Sequence, residues 1–225
     1  MDTHYTQFHG EILKNKEDVA GKGQPVDQTI REYFPDYNYK GVFLDVGAFE
    51  PIRISNSYHF EKNGWAVYCF EANTNSIPLL KTLRANVFNY AIYDRDLPEV
   101  EFNIVTTNGW TAGFSAIEIS QDIANAFNTK LRKRQIEKIK VPQRTLNTIL
   151  SSELAHIINI DVLKIDIEGG ELKCLQGIDL TKYKPRLIAL ENITNSSAIK
   201  DYLAGFGYVL DKQIAYNQFY LLDSN

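Results

Sequence analysis

Continuous apolar runs alternate with stretches of helical periodicity through the middle of the chain. The runs have strand length and little polar alternation, which is typical of strands covered by helices on both faces. They span residues 41–46, 66–71, 88–93, 162–167 and 186–191. After the first run, Ser55 can cap a short helix that ends at Asn63 and Gly64, because glycine adopts the left-handed conformation of a helix C-terminus. The pattern predicts βα units, and therefore an α/β fold with a mostly parallel sheet.

Both ends of the chain depart from this pattern. Residues 208–223 offer two alternating strands with no room for a crossover helix, so we predict an antiparallel C-terminal hairpin. Residues 25–34 place apolar side chains on one helical face, whereas residues 1–24 show no clear periodicity. We predict that residues 1–40 form a helical cover. Residues 1–225 are predicted to be a single domain, because no repeat, low-complexity tract or flexible linker interrupts them.

Residues 106–140 form a further irregular segment. A loop with Trp110 and Phe114 precedes a predicted helix in which apolar residues recur every fourth position. These residues are Ile119, Ile123, Phe127 and Leu131. We predict an inserted loop and helix that acts as a substrate element, whose two aromatic residues would stack on a sugar ring or anchor the loop. The basic run at 130–140 is predicted to be a solvated helix face, with attraction of an anionic acceptor as the alternative.

Composition restricts the class of protein. The chain has 225 residues, of which 44% are hydrophobic and 23% charged, and no apolar run approaches the roughly 20 residues of a membrane span. Its start has no secretory or transit character, so we expect a cytoplasmic protein. The formal net charge of -4 argues against a broad nucleic-acid-binding face, and a homo-oligomer stays open. Cys69 and Cys174 lie in apolar runs without metal-ligand spacing, which predicts buried core thiols.

Acidic residues recur where the predicted strands end. They are Asp45, Glu71, Asp166, Glu168 and Glu191. In an open α/β sheet, ligands bind outside the carboxyl ends of the strands, near the point where the strand order reverses. A single acid there can merely cap a helix, but a series of acids concentrates negative charge that a ligand, a metal or protons must compensate. The pattern therefore indicates a site for a positively charged molecule.

The first strand and its loop, "VFLDVGAFEP", have features of a nucleotide site. Gly47 permits close approach of the backbone to a ligand. Glu71 follows by the roughly 20 residues that separate such a glycine from the acid that binds the ribose of an adenosine cofactor. The loop lacks the further glycines of a dinucleotide site, and Glu50 would repel a pyrophosphate. A cofactor with an ammonium and a sulfonium, S-adenosyl-L-methionine, fits this loop better.

Three segments carry a family resemblance, "FLDVGAFEPIRISNSYHFEKNGW", "CFEAN" and "VLKIDIEGGELKCLQGIDLTKYKPRLIALEN". In this order and spacing they resemble the FkbM family of S-adenosylmethionine-dependent methyltransferases, over about residues 41–192. The resemblance implies a class I methyltransferase fold with a Rossmann-like sheet. It also implies methyl transfer to oxygen, in the best-known members to hydroxyls of sugars, glycans or polyketides. The expected partner is a hydroxylated small molecule or a glycan acceptor.

The same resemblance, together with the acid and glycine pattern, assigns cofactor contacts by position. The expected contacts are Asp45, Gly47, Ala48, Glu50, Ser55, Asn56, Glu71, Ala72, Asn73, Ala91 and Asp166. Glu71 corresponds to the ribose-binding acid, and Gly169 completes the D-x-E-G motif. The sequence "NYAIYD" after the third predicted strand departs from the family pattern, so the adenine contacts near Ala91 have no matching motif.

Methyl transfer to a hydroxyl requires a base that takes the proton or a metal that acidifies it. Asp166 and Glu168 are two positions apart, so on a strand both point to one face. We predict Asp166 as general base or metal ligand and Glu168 as its partner. Together with Glu191, these carboxylates would suit Mg²⁺ or Ca²⁺ as ligands. Metal dependence stays open. Alternatively, Glu168 caps the next helix and Asp166 only contacts the cofactor. His59 is a second candidate base, or else a packing residue.

Two other functions stay open on the sequence. A nucleotide-sugar oxidoreductase would use a similar α/β sheet, although the missing glycine triplet counts against it. A non-catalytic module would keep cofactor binding as a sensor or scaffold. The leading prediction is an S-adenosylmethionine-dependent O-methyltransferase of the FkbM type.

Overall fold

The computed structural model describes residues 4–13, 23–107, 110–111, 115–117 and 134–223. The helices are α1 (Val26–Tyr33), α2 (Tyr58–Lys62), α3 (Ile77–Leu83), α4 (Leu146–Ser151), α5 (Glu171–Gln176) and α6 (Ser197–Ala204). The strands are β1 (Ile12–Leu13), β2 (Gln24–Pro25), β3 (Val42–Val46), β4 (Ala66–Phe70), β5 (Val87–Phe88), β6 (Ala91–Ile92), β7 (Leu97–Thr107), β8 (Trp110–Thr111), β9 (Arg134–Arg144), β10 (Val162–Ile165), β11 (Leu187–Glu191), β12 (Tyr208–Ile214) and β13 (Asn217–Leu222). In these described ranges, none of the helices has both the length and the apolar character needed to cross a membrane.

The central sheet has seven strands in the order β12-β13-β11-β10-β3-β4-β5. The five strands from β11 to β5 in this order run parallel, whereas β13 is antiparallel to both β11 and β12. This confirms the predicted α/β fold, with a mostly parallel sheet and an antiparallel C-terminal hairpin. The strand order reverses between β3 and β10, so the crevice outside their carboxyl ends is the expected ligand site.

Each face of the central sheet buries its own apolar layer, because successive strand residues point to opposite faces. In β3, Leu44 faces the layer that includes α4, α5 and α6, whereas Phe43 faces the layer that includes α1, α2 and α3. Cys69 lies in the second of these layers and Cys174 in the first. Both thiols are free and fully buried, which confirms the prediction of core thiols.

The third predicted strand, residues 88–93, is divided between two sheets. β5 pairs with β4 in the central sheet, whereas β6 pairs with β9 in a second sheet. Between them, Asn89 donates from Nδ2 to the carbonyl oxygens of Glu71 at 2.8 Å and Ala72 at 3.2 Å. These side-chain hydrogen bonds hold the turn by which the chain leaves the central sheet. The apolar run predicted as one strand is therefore a link between two sheets.

The second sheet, ordered β6-β9-β7-β8, includes the start and the end of the segment predicted as an inserted loop and helix. The predicted basic helix face is wrong from residue 134 onward, because β9 pairs antiparallel with β7. Lys138 contacts Glu101 at 2.7 Å and Lys140 contacts Glu99 at 3.2 Å across this pair. Opposite charges across strands favour the pairing. The part of the predicted helix that contains Ile119, Ile123, Phe127 and Leu131 lies outside the described residues, as do the side chains of Trp110 and Phe114.

The predicted N-terminal cover contains one helix and a short β ladder. α1 confirms the helix predicted at 25–34, and β1 and β2 form an antiparallel pair that was not predicted. Asp27 in the first turn of α1 accepts hydrogen bonds from the N–H groups of His9 at 2.7 Å and Gly10 at 3.0 Å. Burial raises the pKa of Asp27 to about 6, although these donors favour its charged form. Asp27 thus ties the N-terminal segment to α1.

Candidate active site

A cleft opens at the carboxyl ends of β3, β4 and β10, where the strand order reverses. It encloses about 860 Å³ of space, part of which is open to solvent. Residues from both sheets form its walls. Of the residues singled out in the sequence, Gly47, Glu71, Ala72, Asn73, Ala91, Asp166, Glu168 and Gly169 line it.

The loop after β3 contributes a glycine, Gly47, to the wall of this cleft. Gly47 has a φ of 87°, a left-handed conformation that other residues rarely adopt. Its N–H donates to the Phe70 carbonyl oxygen at 2.9 Å, which fixes the loop to the end of β4. A Cβ placed on Gly47 would lie 1.8 Å from the Asp166 carbonyl oxygen. Only glycine therefore allows the loops after β3 and β10 to meet here.

Asp45 lies behind this loop in a buried network and does not line the cleft. Its Oδ2 accepts a hydrogen bond from Ser57 Oγ, which also accepts one from Arg84 Nη2 at 2.7 Å. Arg84 donates to Ser55 Oγ at 3.1 Å and forms an ion pair with Glu61. Burial raises the pKa of Asp45, although Ser57 and Arg84 favour its charged form. The structure thus places Asp45 and Ser55 where they order the loop.

Three further predicted contacts also lie outside the cleft. Ala48 is buried in the apolar layer that contains α1, α2 and α3. Glu50 forms an ion pair with Arg53 near the surface. Asn56 is buried, and its Oδ1 has no hydrogen-bond partner among the described residues. Position in a motif therefore does not separate residues that shape the loop from residues that face the cleft.

Glu71, just after β4, forms a polar corner of the cleft with Asn73. Glu71 Oε1 accepts the N–H of Asn73 at 2.6 Å, and Oε2 accepts the N–H of Phe49 at 2.8 Å. Burial raises the pKa of Glu71 to about 7, although both hydrogen bonds favour its charged form. Each oxygen of an ionised carboxylate can accept a second hydrogen bond. Asn73 Nδ2 is buried and, within the described chain, has no partner, so this corner offers acceptors and an unused donor.

Three carboxylates converge after β10 and at the end of β11. One oxygen from each of Asp166, Glu168 and Glu191 lies within 4.8 Å of the other two. The fully buried Lys164 donates from Nζ to Asp166 Oδ2 at 3.2 Å. Burial disfavours the charge of Lys164, but the carboxylates of Asp166 and Glu191 outweigh it and raise the pKa. Burial, followed by repulsion from Asp166, raises the pKa of both Glu168 and Glu191.

Both loops that meet at the cleft contain a left-handed residue that is not glycine. Glu168 has a φ of 57° and Phe49 a φ of 46°, conformations that cost roughly 1–2 kcal/mol each. Glu171 Oε1 accepts the N–H groups of Ile167 at 3.2 Å and Gly169 at 3.0 Å, on either side of Glu168. The N–H of Phe49 is likewise bound to a carboxylate. Such strain is typical of functional sites, and no periodicity in the sequence signals it.

The second sheet contributes an apolar wall that sequence analysis missed. Phe102 on β7 and Ile117 line the cleft, together with Tyr90 and Tyr93 on either side of β6. Tyr93 packs so closely on Gly170 that a Cβ there would lie 2.8 Å from its ring. The alternation of apolar and polar residues at 100–104 is a signal that could have indicated a half-buried strand here.

His59 does not line the cleft. Its ring is buried and stacks on Phe8 with a centroid separation of 4.3 Å. Nδ1 bonds the Gln7 carbonyl oxygen at 2.8 Å, and Nε2 accepts a hydrogen bond from Arg31 Nε at 3.0 Å. Burial lowers the pKa of His59 to about 4, so the ring is neutral at pH 7 and both nitrogens are engaged. The structure therefore places His59 outside the cleft with the contacts of a packing residue, which is the alternative interpretation.

The strand order and the cleft at its reversal define a class I methyltransferase fold. The methyltransferase FkbM domain matches residues 45–210, which is most of the chain. This protein therefore belongs to the FkbM methyltransferase family, in agreement with the motif resemblance.

Two solved structures are similar to the chain. The crystal structure of methyltransferase FkbM from Methylobacillus flagellatus KT has 15% sequence identity and a TM-score of 0.48; the match covers 81% of this chain and 43% of that one. Precorrin-6y C5,15-methyltransferase from Geobacter metallireducens GS-15 has 12% identity and a TM-score of 0.42, with 92% of each chain covered. This chain thus spans less than half of the first of these proteins. No curated protein matches it significantly.

Proposed function

We propose that this protein is an S-adenosylmethionine-dependent O-methyltransferase that acts on a hydroxyl of a sugar, a glycan or a related metabolite. The observation that carries the proposal is a single cleft lined both by Glu71 with Asn73 and by Asp166 with Glu168. The first pair suits an adenosine ribose, and the second suits activation of a hydroxyl. Membership of the FkbM family supports methyl transfer.

The side chains of the cleft fit S-adenosylmethionine. Glu71 can accept hydrogen bonds from ribose hydroxyls, and the unused Nδ2 of Asn73 can donate one. Phe102 and Ile117 offer an apolar wall for the adenine ring. When bound, S-adenosylmethionine supplies an electrophilic methyl group on a positively charged sulfonium. The carboxylates of Asp166 and Glu168, which line the cleft, favour that positive charge. Gly47 has no side chain and so leaves room for the ligand next to its backbone.

We assign activation of the acceptor hydroxyl to Asp166, with Glu168 as its partner. A hydroxyl is a weak nucleophile and must lose its proton as the new C–O bond forms. Lys164 holds Asp166 Oδ2 at 3.2 Å and so orients the carboxylate. Holding the acceptor and the methyl donor in one cleft makes their reaction effectively unimolecular, which accounts for a large part of the acceleration in such reactions.

We place the acceptor in a second depression, which shares Gly169 with the cleft. The start of α5, the loop between β11 and α6, and the first turn of α6 form this depression. Thr194 and Ser196 contribute polar groups, while Ile193 and Ile199 contribute apolar ones. A sugar ring has polar edges and apolar faces, so this mixture suits a carbohydrate.

Transfer of a labelled methyl group tests the proposal. Purified protein is incubated with S-adenosylmethionine and a panel of sugars and glycans, and the methylated atom is located by mass spectrometry and NMR. We expect an O-methyl product, and we expect Asp166→Asn and Glu168→Gln to lower kcat by about 100-fold or more. Asp201→Asn, at an exposed position of α6, is the control and should leave kcat unchanged. Cofactor binding without transfer to any hydroxylated acceptor would favour the non-catalytic module.

A further inference from the structure

Among the described residues, the acids after β10 and at the end of β11 outnumber the basic groups that contact them. Asp166, Glu168 and Glu191 lie within 4.8 Å of one another through one oxygen each. Glu11, from the N-terminal segment, is close enough to add its own repulsion to Glu168 and Glu191. Against these four acids, Lys164 is the buried ammonium in contact with Asp166. Such crowding is unfavourable unless a cation or protons compensate it.

Glu168 provides a second and separate observation. Its Oε2 is buried, and in the part of the chain that the structure describes it has no hydrogen-bond partner. A carboxylate oxygen that has lost its hydration without gaining a donor is destabilised. The side chain is directed into the acid cluster, because one of its oxygens is within 4.8 Å of both Asp166 and Glu191. The Glu168 carboxylate therefore has unused acceptor capacity beside two further carboxylates.

We propose that Asp166, Glu168 and Glu191 together bind a divalent cation that prefers oxygen ligands. For three oxygens no more than 4.8 Å apart, an ion at their centre lies no more than about 2.8 Å from each (4.8 divided by √3), near the 2.3–2.6 Å of Ca²⁺ ligands. Mg²⁺, with ligands at about 2.0–2.1 Å, would draw the carboxylates closer together. The three ligands are all carboxylates, a donor set that suits these hard cations better than zinc.

The catalytic role of this site rests on the proposed function, whereas cation binding does not. A cation held by one oxygen of Asp166 would make an acceptor hydroxyl more acidic and would stabilise the developing oxygen anion. The other oxygen of Asp166 would take the proton as the C–O bond forms and the sulfonium becomes a neutral thioether. Without the cation, the three acids would repel that anion. The inference thus names the means by which Asp166 and Glu168 activate the acceptor.

Calorimetric titration of the EDTA-treated protein with CaCl₂, MgCl₂ or MnCl₂, without cofactor, tests the inference. We expect at least one cation to bind at one site per chain and to raise Tm. Glu168→Gln and Glu191→Gln should each weaken this binding by tenfold or more. Because they relieve repulsion, they should also raise the Tm of the cation-free protein, which shows that the variants fold. Glu101→Gln, an exposed acid of β7, is the control and should bind the cation like the wild type.

Absence of binding by all three cations, or binding that Glu168→Gln and Glu191→Gln leave unchanged, would overturn the inference. A parallel titration with S-adenosylhomocysteine in EDTA separates this outcome from failure of the proposed function. Cofactor binding without cation binding would contradict only the proposal of a cation site. Cation binding without cofactor binding would support the cation site and would contradict the proposed function.

Discussion

Gly47 and Asp166 meet backbone to backbone at the cleft, where a Cβ on Gly47 would lie 1.8 Å from the Asp166 carbonyl oxygen. The Asp166 N–H in turn donates to the Val46 carbonyl oxygen at 2.9 Å. The two loops on either side of the strand-order reversal are therefore a single packed unit. A change that separates them should disturb both the cofactor side and the acidic side of the cleft.

Gly47→Ala tests this contact. We expect a loss of stability greater than the roughly 1–2 kcal/mol of left-handed strain alone, and at least tenfold weaker binding of S-adenosylhomocysteine. Urea denaturation and calorimetry provide the two measurements. Gly64→Ala is a matched control, because Gly64 also has a positive φ, of 81°, but its nearest atom would be Lys40 Cδ at 3.4 Å. Equal effects of the two changes would show that the Gly47–Asp166 contact has no special role.

Glu71 should make cofactor binding depend on pH. Burial raises the pKa of Glu71 to about 7, so in the free protein more of this carboxyl group is protonated as the pH falls below 7. Ribose hydroxyls donate to the ionised form, and we therefore expect affinity for S-adenosylhomocysteine to increase as the pH rises from 6 to 8. Calorimetry across this range gives the profile. Glu71→Gln should bind more weakly and lose the pH dependence attributed to Glu71; a variant that keeps the wild-type profile would exclude Glu71 as its origin.

Asn73 Nδ2 should be used by the ligand, because it has no partner among the described residues. Asn73→Ala and Asn73→Asp both remove this donor. The aspartate keeps an oxygen that can accept the Asn75 N–H, which Asn73 Oδ1 accepts at 3.0 Å, so the local turn is retained. We expect both variants to raise the Kd for S-adenosylhomocysteine by about fivefold to tenfold, as for loss of one hydrogen bond. Unchanged Kd values in both would place the ligand away from Asn73.

Arg84 should stabilise the fold through the loop after β3. Its side chain is fully buried between Glu61, Ser55 and Ser57. Arg84→Met removes the ion pair with Glu61 and the hydrogen bonds to the two serine hydroxyls. Breaking a buried pair by removing one partner costs about 3–5 kcal/mol, which urea denaturation would detect. Lys140→Met removes an exposed partner of Glu99 and should cost less than about 1 kcal/mol. A similar cost for both would contradict a buried network that orders the loop.

The central sheet could be predicted because its strands are buried on both faces and therefore read as continuous apolar runs. The second sheet was missed because β9 carries charged residues at successive positions, as in Glu137-Lys138, and so lacks both an apolar run and clear alternation. Its pairing depends on β7, more than 20 residues earlier in the chain. Although residues 100–104 of β7 alternate, the sequence of β9 gives no comparable local signal, so its basic residues also fit a helix face.

The cleft could be predicted only in part. Glu71, Asp166 and Glu168 were found because the carboxyl ends of parallel strands meet at one edge of a sheet. The sequence predicts Asp45 at the same edge, but the buried Ser57 and Arg84 hold it behind the loop. The apolar wall from the second sheet and the left-handed backbone of Glu168 depend on tertiary packing, which one sequence without its fold does not display.

Calorimetric titration of the purified wild-type protein with S-adenosylmethionine and S-adenosylhomocysteine tests the central claim most directly. If the cleft between β4 and β10 holds the methyl donor, each compound binds at one site per chain and raises Tm. Absence of both heat and thermal stabilisation with either compound would contradict the account.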